Sequence, residues 1–140
     1  MEIEVFTLCD AATDSRGKLN ILGTFDSIYA SGFPMVFPRC SIALRLRYAV
    51  IEEGEHAVKI TMRGQEGKDV IPPMEGSFHL KVMPERFSAA ANLVLNLERL
   101  RIPQPGEYLI ELSIDGDRLR TLPLNVFQSS PRGPEREREQ

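Results

Sequence analysis

Few side chains in this sequence could cut, transfer or chelate, and their spacing decides what they can do. Cys9, Cys40, His56 and His79 are the only cysteines and histidines in 140 residues. Together with Asp10 they are metal-ligand types. No C-x-x-C or H-x-x-x-H spacing groups them, and His79 falls on the polar side of an alternating segment, so no metal and no other cofactor is expected. Cys9, a histidine and Asp10 could in principle form a Cys-His-Asp set, which requires an exposed thiol of lowered pKa. The neighbours in Thr7-Leu8-Cys9 and Cys40-Ser41-Ile42 are instead those of a small core residue. A nucleophile elbow Gly-x-Ser-x-Gly and a phosphate-cradling Gly-x-x-x-x-Gly-Lys are both missing from the sequence. Carboxylates at Glu52, Glu53 and Glu55, and at Asp115 and Asp117, lie in tight polar turns and read as solvated loop charge. His56 is expected in solvent beside the first group. The expectation is a non-enzymatic protein, with an enzyme of unrecognised site as the third-ranked reading.

Two groups of residues could bind rather than react. If the segments around Ile42 and Val58 pair across the Glu52–Glu55 loop, Arg45, Arg47, Lys59 and Arg63 project from one face, with Arg47 near Lys59. Like charges placed opposite one another cost up to ~1 kcal/mol unless an acidic neighbour or an anion offsets them. The functional reading is an anion-binding face. The plainer one is an outer sheet face balanced by Glu or Asp from the next strand, and no aromatic residue is interleaved as a nucleic-acid stacking platform requires. The second group is Phe33, Met35, Val36 and Phe37, in a segment from Tyr29 to Arg39 whose prolines are expected to forbid regular pairing. These side chains either cover one end of a core or meet a protein partner. Ile71-Pro72-Pro73-Met74 has the same character and could join the same patch.

The elements that must carry these residues are strands. Ile42, Leu44, Leu46 and Tyr48 alternate with Ala43, Arg45, Arg47 and Ala49, and Val58, Ile60 and Met62 with Lys59, Thr61 and Arg63. That is the pattern of strands with one buried face, expected here as a hairpin. Phe78, Leu80 and Val82, then Leu93, Leu95 and Leu97, repeat it. Turn residues at Asp14–Gly17 separate Ile3–Leu8 from a strand over Lys18–Ile28, and Gly64–Gly67 ends another. Asp115-Gly116 supplies the positive φ angles of a two-residue hairpin turn, which places Glu111 opposite Arg120 and Leu109 opposite Leu122. Pro123 makes the last strand an edge or a bulged strand. Pro84–Asn92 is the best candidate for a short helical turn. The fold class expected is all-β, an antiparallel immunoglobulin-like β-sandwich of about eight or nine strands, with an open barrel as the alternative.

Composition bounds the rest. With 17 Lys+Arg against 20 Asp+Glu the net charge is -3, which disfavours nucleic acid as a partner. No run of apolar residues reaches the ~18 needed to cross a bilayer, and the Met-Glu-Ile-Glu start lacks a signal-peptide pattern. A cytoplasmic protein with reduced cysteines is expected, with no membrane contact. Residues 1–127 read as one domain and 128–140, with no hydrophobic anchor, as a disordered polar tail.

Three stretches carry a resemblance. They are Leu8-Cys9-Asp10-Ala11-Ala12, Gly17-Lys18-Leu19-Asn20-Ile21-Leu22-Gly23-Thr24-Phe25-Asp26, and Pro105-Gly106-Glu107-Tyr108 leading to Pro123-Leu124-Asn125-Val126. The chain resembles, over about residues 1–127, a family of small uncharacterised bacterial all-β proteins with a Leu-Cys-Asp strand, a Gly-Lys-Leu strand, a Phe-Pro loop and a C-terminal hairpin. The resemblance implies an all-β domain of bacterial origin and carries no catalytic residue. The reading that results is an interaction module, self-associating through a strand edge or the Phe33–Phe37 segment as a homo-oligomer, or else meeting another protein. An anion or small-ligand domain using the basic face is the alternative.

Overall fold

Apolar side chains at every second position settle which side of each strand is buried. The computed structural model describes residues 1–130, and it is all-β apart from one short turn of 3-10 helix at Val50–Glu52. Strands β1 (Glu2–Ser15), β2 (Lys18–Thr24), β4 (Met35–Tyr48) and β7 (Ala89–Ile102) form one sheet in the order β2-β1-β4-β7. Strands β3 (Ser27–Ala30), β5 (Gly54–Arg63), β6 (Met74–Leu80), β8 (Gly106–Ile114) and β9 (Asp117–Gln128) form the other, in the order β3-β9-β8-β5-β6. Ile42, Leu44 and Leu46 of the first sheet and Ile60, Met62, Ile110, Leu112 and Leu124 of the second are fully enclosed in a single cluster between the sheets. Each such side chain contributes about 1.5–3 kcal/mol by leaving water.

The expected hairpin of the Ile42 and Val58 segments does not form. β4 pairs with β1 and, over thirteen register positions, with β7, whereas β5 pairs with β6 and β8 in the opposite sheet. The Val50–Glu52 turn carries the chain across. Glu52 Oε1 accepts the Ala49 N–H at 3.0 Å, and Glu53 Oε2 accepts the Val82 N–H at 2.6 Å. These acidic residues hold a sheet-to-sheet crossing rather than decorating a solvated loop.

A second crossing divides the strand expected over Lys18–Ile28. β2 ends at Thr24, and β3 begins at Ser27 in the other sheet, where it runs parallel to β9 from Ser27 opposite Asn125 to Ala30 opposite Gln128. Among the described residues the sandwich is therefore antiparallel except for this one pair. The helical turn considered at Pro84–Asn92 is also replaced. Ala89, Ala90 and Ala91 are the first residues of β7, drawn into a strand by pairing with Tyr48, Arg47 and Leu46. Tertiary pairing here outweighs the helix preference of alanine.

The Asp115-Gly116 turn forms as expected, with φ angles of 53° and 86° and Ile114 opposite Asp117. A bulge at Leu119 then shifts the register by one, so Glu111 lies opposite Thr121 and Leu109 opposite Pro123. Pro123 is tolerated because β3 reaches β9 only from Asn125 onward, leaving β8 its one bonded neighbour there. Gln128 ends β9, and its side-chain amide donates to the Ser31 carbonyl at 3.2 Å. The rest of the expected 128–140 tail, beyond residue 130, lies outside the described residues.

Candidate functional site

The four cations expected on one face are split between the two sheets. Arg45 and Arg47, on β4, both close on Glu4 of β1, with Nε–Oε1 at 2.9 Å and Nε–Oε2 at 2.6 Å. A register irregularity between Ile3 and Val5 marks where Glu4 stands, beside both guanidinium groups. The Arg47 hydrogen bond is the main cause holding the Glu4 carboxyl below its usual range. Lys59 and Arg63 lie on β5 in the other sheet. Arg63 bonds Asp69 at 3.2 Å and reaches Glu111 at 3.7 Å, while Lys59 stands in register with Glu75 and Ser113. The arginines are thus balanced by carboxylates of their own sheets, and no shared basic face exists.

Phe33, Met35, Val36 and Phe37 are also sorted by the backbone. Met35–Pro38 belongs to β4, paired with Leu100–Ile102, and the ladder skips only at Pro38, opposite Arg99 with its φ of 53°. The prolines therefore do not keep this segment out of the sheet. Phe33, Met35 and Phe37 are half-buried against the core, and the Phe37 ring lies 5.7 Å from that of Phe25. Val36 alone points outward, 55% exposed. Ile71 and Met74 likewise pack on the core.

The chemically capable side chains are engaged internally. Cys9 and Cys40 are fully buried free thiols. Burial, reinforced by Cys9, pushes the Cys40 thiol up to about 11. His79 is exposed and meets Glu55 at 3.1 Å. His56 is not in solvent as expected. Its side chain is 13% exposed, its Nδ1 lies 2.6 Å from Asp115 Oδ2, its Nε2 lies 2.6 Å from the Glu52 carbonyl, and it stacks on Phe78 at 5.7 Å. Both partners only accept, so both ring nitrogens donate and the imidazolium is the form that fits. The Asp115 hydrogen bond accordingly raises the His56 pKa.

What sequence reasoning missed is the free edge of β7. Among the described residues this fourteen-residue strand pairs along its backbone with β4 and with no other strand, and only the Asn92 side chain reaches further, to Asp14 and the Gly17 carbonyl. From Phe87 through Leu97 it and the residues leading into it carry no charge, no proline and no glycine. At the same end of the sandwich, Ile51 and Phe87 are 92% and 97% exposed, and Val50 and Met83 are more than half exposed. The uncharged run was visible in the sequence, but the alanines suggested a helical turn in place of an edge.

No curated protein matches the chain in sequence. Among solved structures, it is similar to Pseudomonas fluorescens alkylpurine DNA glycosylase AlkC, determined bound to DNA containing an abasic site analog. The TM-score is 0.51 and the identity 14%, over 90% of this chain and 30% of that one. A candidate beta-galactosidase from Bacteroides fragilis aligns with a TM-score of 0.38 and 15% identity, over 86% of this chain and 16% of that one. The chain thus spans less than a third of either neighbour, and the first likeness concerns fold alone. Residues 4–127, which hold all nine strands except the outermost residues of β1 and β9, match the family of unknown function DUF6941, and the chain belongs to that family.

Proposed function

We propose that this domain is a non-enzymatic, cytoplasmic interaction module that associates with a second copy of itself along the free edge of β7. The observation that carries the reading is the uncharged run Phe87–Leu97 on an edge bonded from one side only. Edge strands of soluble proteins are usually blunted by charge, proline, a bulge or shortness. The other three edges have such protection: β3 is four residues long, β6 carries Glu75 and Gly76, and β2 carries Lys18 and Gly23. On β7 the charges begin only at Glu98, Arg99 and Arg101.

The run also complements itself. In an antiparallel two-fold pairing centred on Leu93, Ala89 would face Leu97 and Ala91 would face Leu95, small against large, while Asn92 would face Val94 on the outer side. Core-capping by Phe33, Met35 and Phe37 leaves the strand edge as the better of the two association routes considered from sequence. Nucleic acid does not suit this surface, because the run offers no cation to a phosphate.

Light scattering coupled to size exclusion tests the reading. A dimer that dissociates on dilution is expected, and Val94→Lys, which places a charge on the outer side of the edge strand, should give the 15.8 kDa monomer with an unchanged circular dichroism spectrum. A wild-type monomer at every concentration, or a dimer indifferent to Val94→Lys, overturns it.

A further inference from the structure

At the end of the sandwich away from Ile51 and Phe87, the loop joining β5 to β6 and the corner joining β7 to β8 enclose a cavity of about 340 Å³. This is near the lower bound of ligand pockets, roughly 300–1,000 Å³. Its apolar lining comes from Val70, Pro103, Pro105 and Tyr108. Tyr108 is 3% exposed, and its hydroxyl is spent on the Gln104 carbonyl at 2.5 Å, so the ring presents carbon and no free donor to the cavity. The walls are held by the fold's own hydrogen bonds. Gly64 N–H donates to Lys68 O at 3.1 Å, Gly67 N–H to Gly64 O at 3.0 Å, and Val70 N–H to Met62 O at 2.8 Å. Gly106, at φ 148°, lets the corner pass close to Gln65, whose Cδ would lie 3.4 Å from a Cβ placed there.

The charges lining this cavity are uncommitted. Asp69 is taken by Arg63, but Glu66, Lys68, Arg101 and Glu107 have no ion-pair partner among the described residues. Two free cations and two free carboxylates around an apolar floor suit neither a hydrocarbon, which uses none of them, nor a simple anion, which the carboxylates repel. A molecule with one ammonium, one carboxylate and an apolar body has a group for each kind of charge in the lining and one for its apolar floor. We propose that this cavity binds a small zwitterion of that kind, the chemistry of a free amino acid with a large apolar side chain. The proposal is independent of whether β7 pairs with a second copy.

The test is a titration of the full chain with L-phenylalanine, followed by amide chemical shifts. Saturable shifts should centre on Val70, Gly106 and Tyr108. 3-Phenylpropionate, which lacks the ammonium, and phenethylamine, which lacks the carboxylate, should each bind about tenfold more weakly, the scale of one lost charged contact. Arg101→Ala, at an exposed position, should weaken L-phenylalanine without altering the spectrum elsewhere. Absence of saturable shifts overturns the proposal. Equal binding of N-acetyl-phenylalanine amide overturns it too, because that outcome describes a peptide groove that ignores the charges.

Discussion

His56 shows how a single side chain ties two distant turns together. Its ring bridges the Glu52 carbonyl and the Asp115 carboxylate, and Asp115 also accepts the Ala57 N–H at 2.9 Å. Removing one ring proton leaves a lone pair facing an acceptor at 2.6 Å on one side or the other. The folded pKa of His56 is raised, so the stability it contributes is fully present below the unfolded value of ~6.5 and is lost as pH rises through the folded value. Asp115 behaves oppositely. Its pKa is lowered by the Ala57 N–H first and His56 second, so its contribution is present above ~3.9 and lost as pH falls through the folded value. The latch is therefore strongest between those two limits. Urea unfolding of wild type and His56→Gln from pH 5 to 9 checks it: the gap between their midpoints should shrink on the alkaline side, and a constant gap contradicts a cationic His56. The thiols give a second prediction at this scale. Buried Cys9 and Cys40, the latter pushed up to about 11, should resist alkylation in native protein at pH 8 and react in urea, as mass spectrometry would show.

At the scale of elements, β4 was the most legible strand and the most misread. The alternation from Ile42 to Tyr48 identified its buried face correctly, because Ile42, Leu44 and Leu46 had only one side on which to hide. Its partner was not legible. Adjacency in sequence favoured β5, while the actual partner, β7, lies some forty residues further along the chain, and nothing local to either strand records that. The same limit applies to the basic stripe: each arginine was read correctly as outward-facing, but the sheet it faces out from depends on pairing. Phe33–Phe37 fails differently, since two prolines suggested a loop and a break in the ladder at Pro38 absorbed one of them. Alternation within this segment makes a measurable distinction. Phe37→Asp buries a charge against the core and should cost about 2–4 kcal/mol. Val36→Asp, on the outward side of the same strand, should stay within about 0.5 kcal/mol in urea unfolding.

For the molecule as a whole, the fold class followed from patterning, and the turn at Asp115-Gly116 from turn chemistry, because both are set by neighbours in sequence. The sheet crossings at Phe25-Asp26 and Val50–Glu52 did not, because they are chosen by what the flanking strands bury rather than by any signature of their own. The candidate surfaces follow the same division. Residues that stood out by type, His56, Cys9, Cys40 and the arginines, proved to be internally satisfied. The free edge of β7 and the cavity beside Tyr108 arise where elements end or lack a neighbour, which sequence types do not mark. If β7 pairs about a two-fold axis, two four-stranded sheets become one continuous sheet of eight, and the Leu93–Leu93 contact lies on that axis.

The direction of the first and last strands has a practical bearing on that assembly. β1 starts beside Arg47, at the pole that carries Val50–Glu52, and β9 finishes beside Gly106, at the opposite pole. Glu2 and Gln128 thus stand at opposite poles, while β7 lies along the flank between them. A fluorophore carried on the Gln128 side chain would sit at the second pole, away from the flank on which association is to be measured, whereas a group joined to the Met1 amine would displace its ion pair with Glu52.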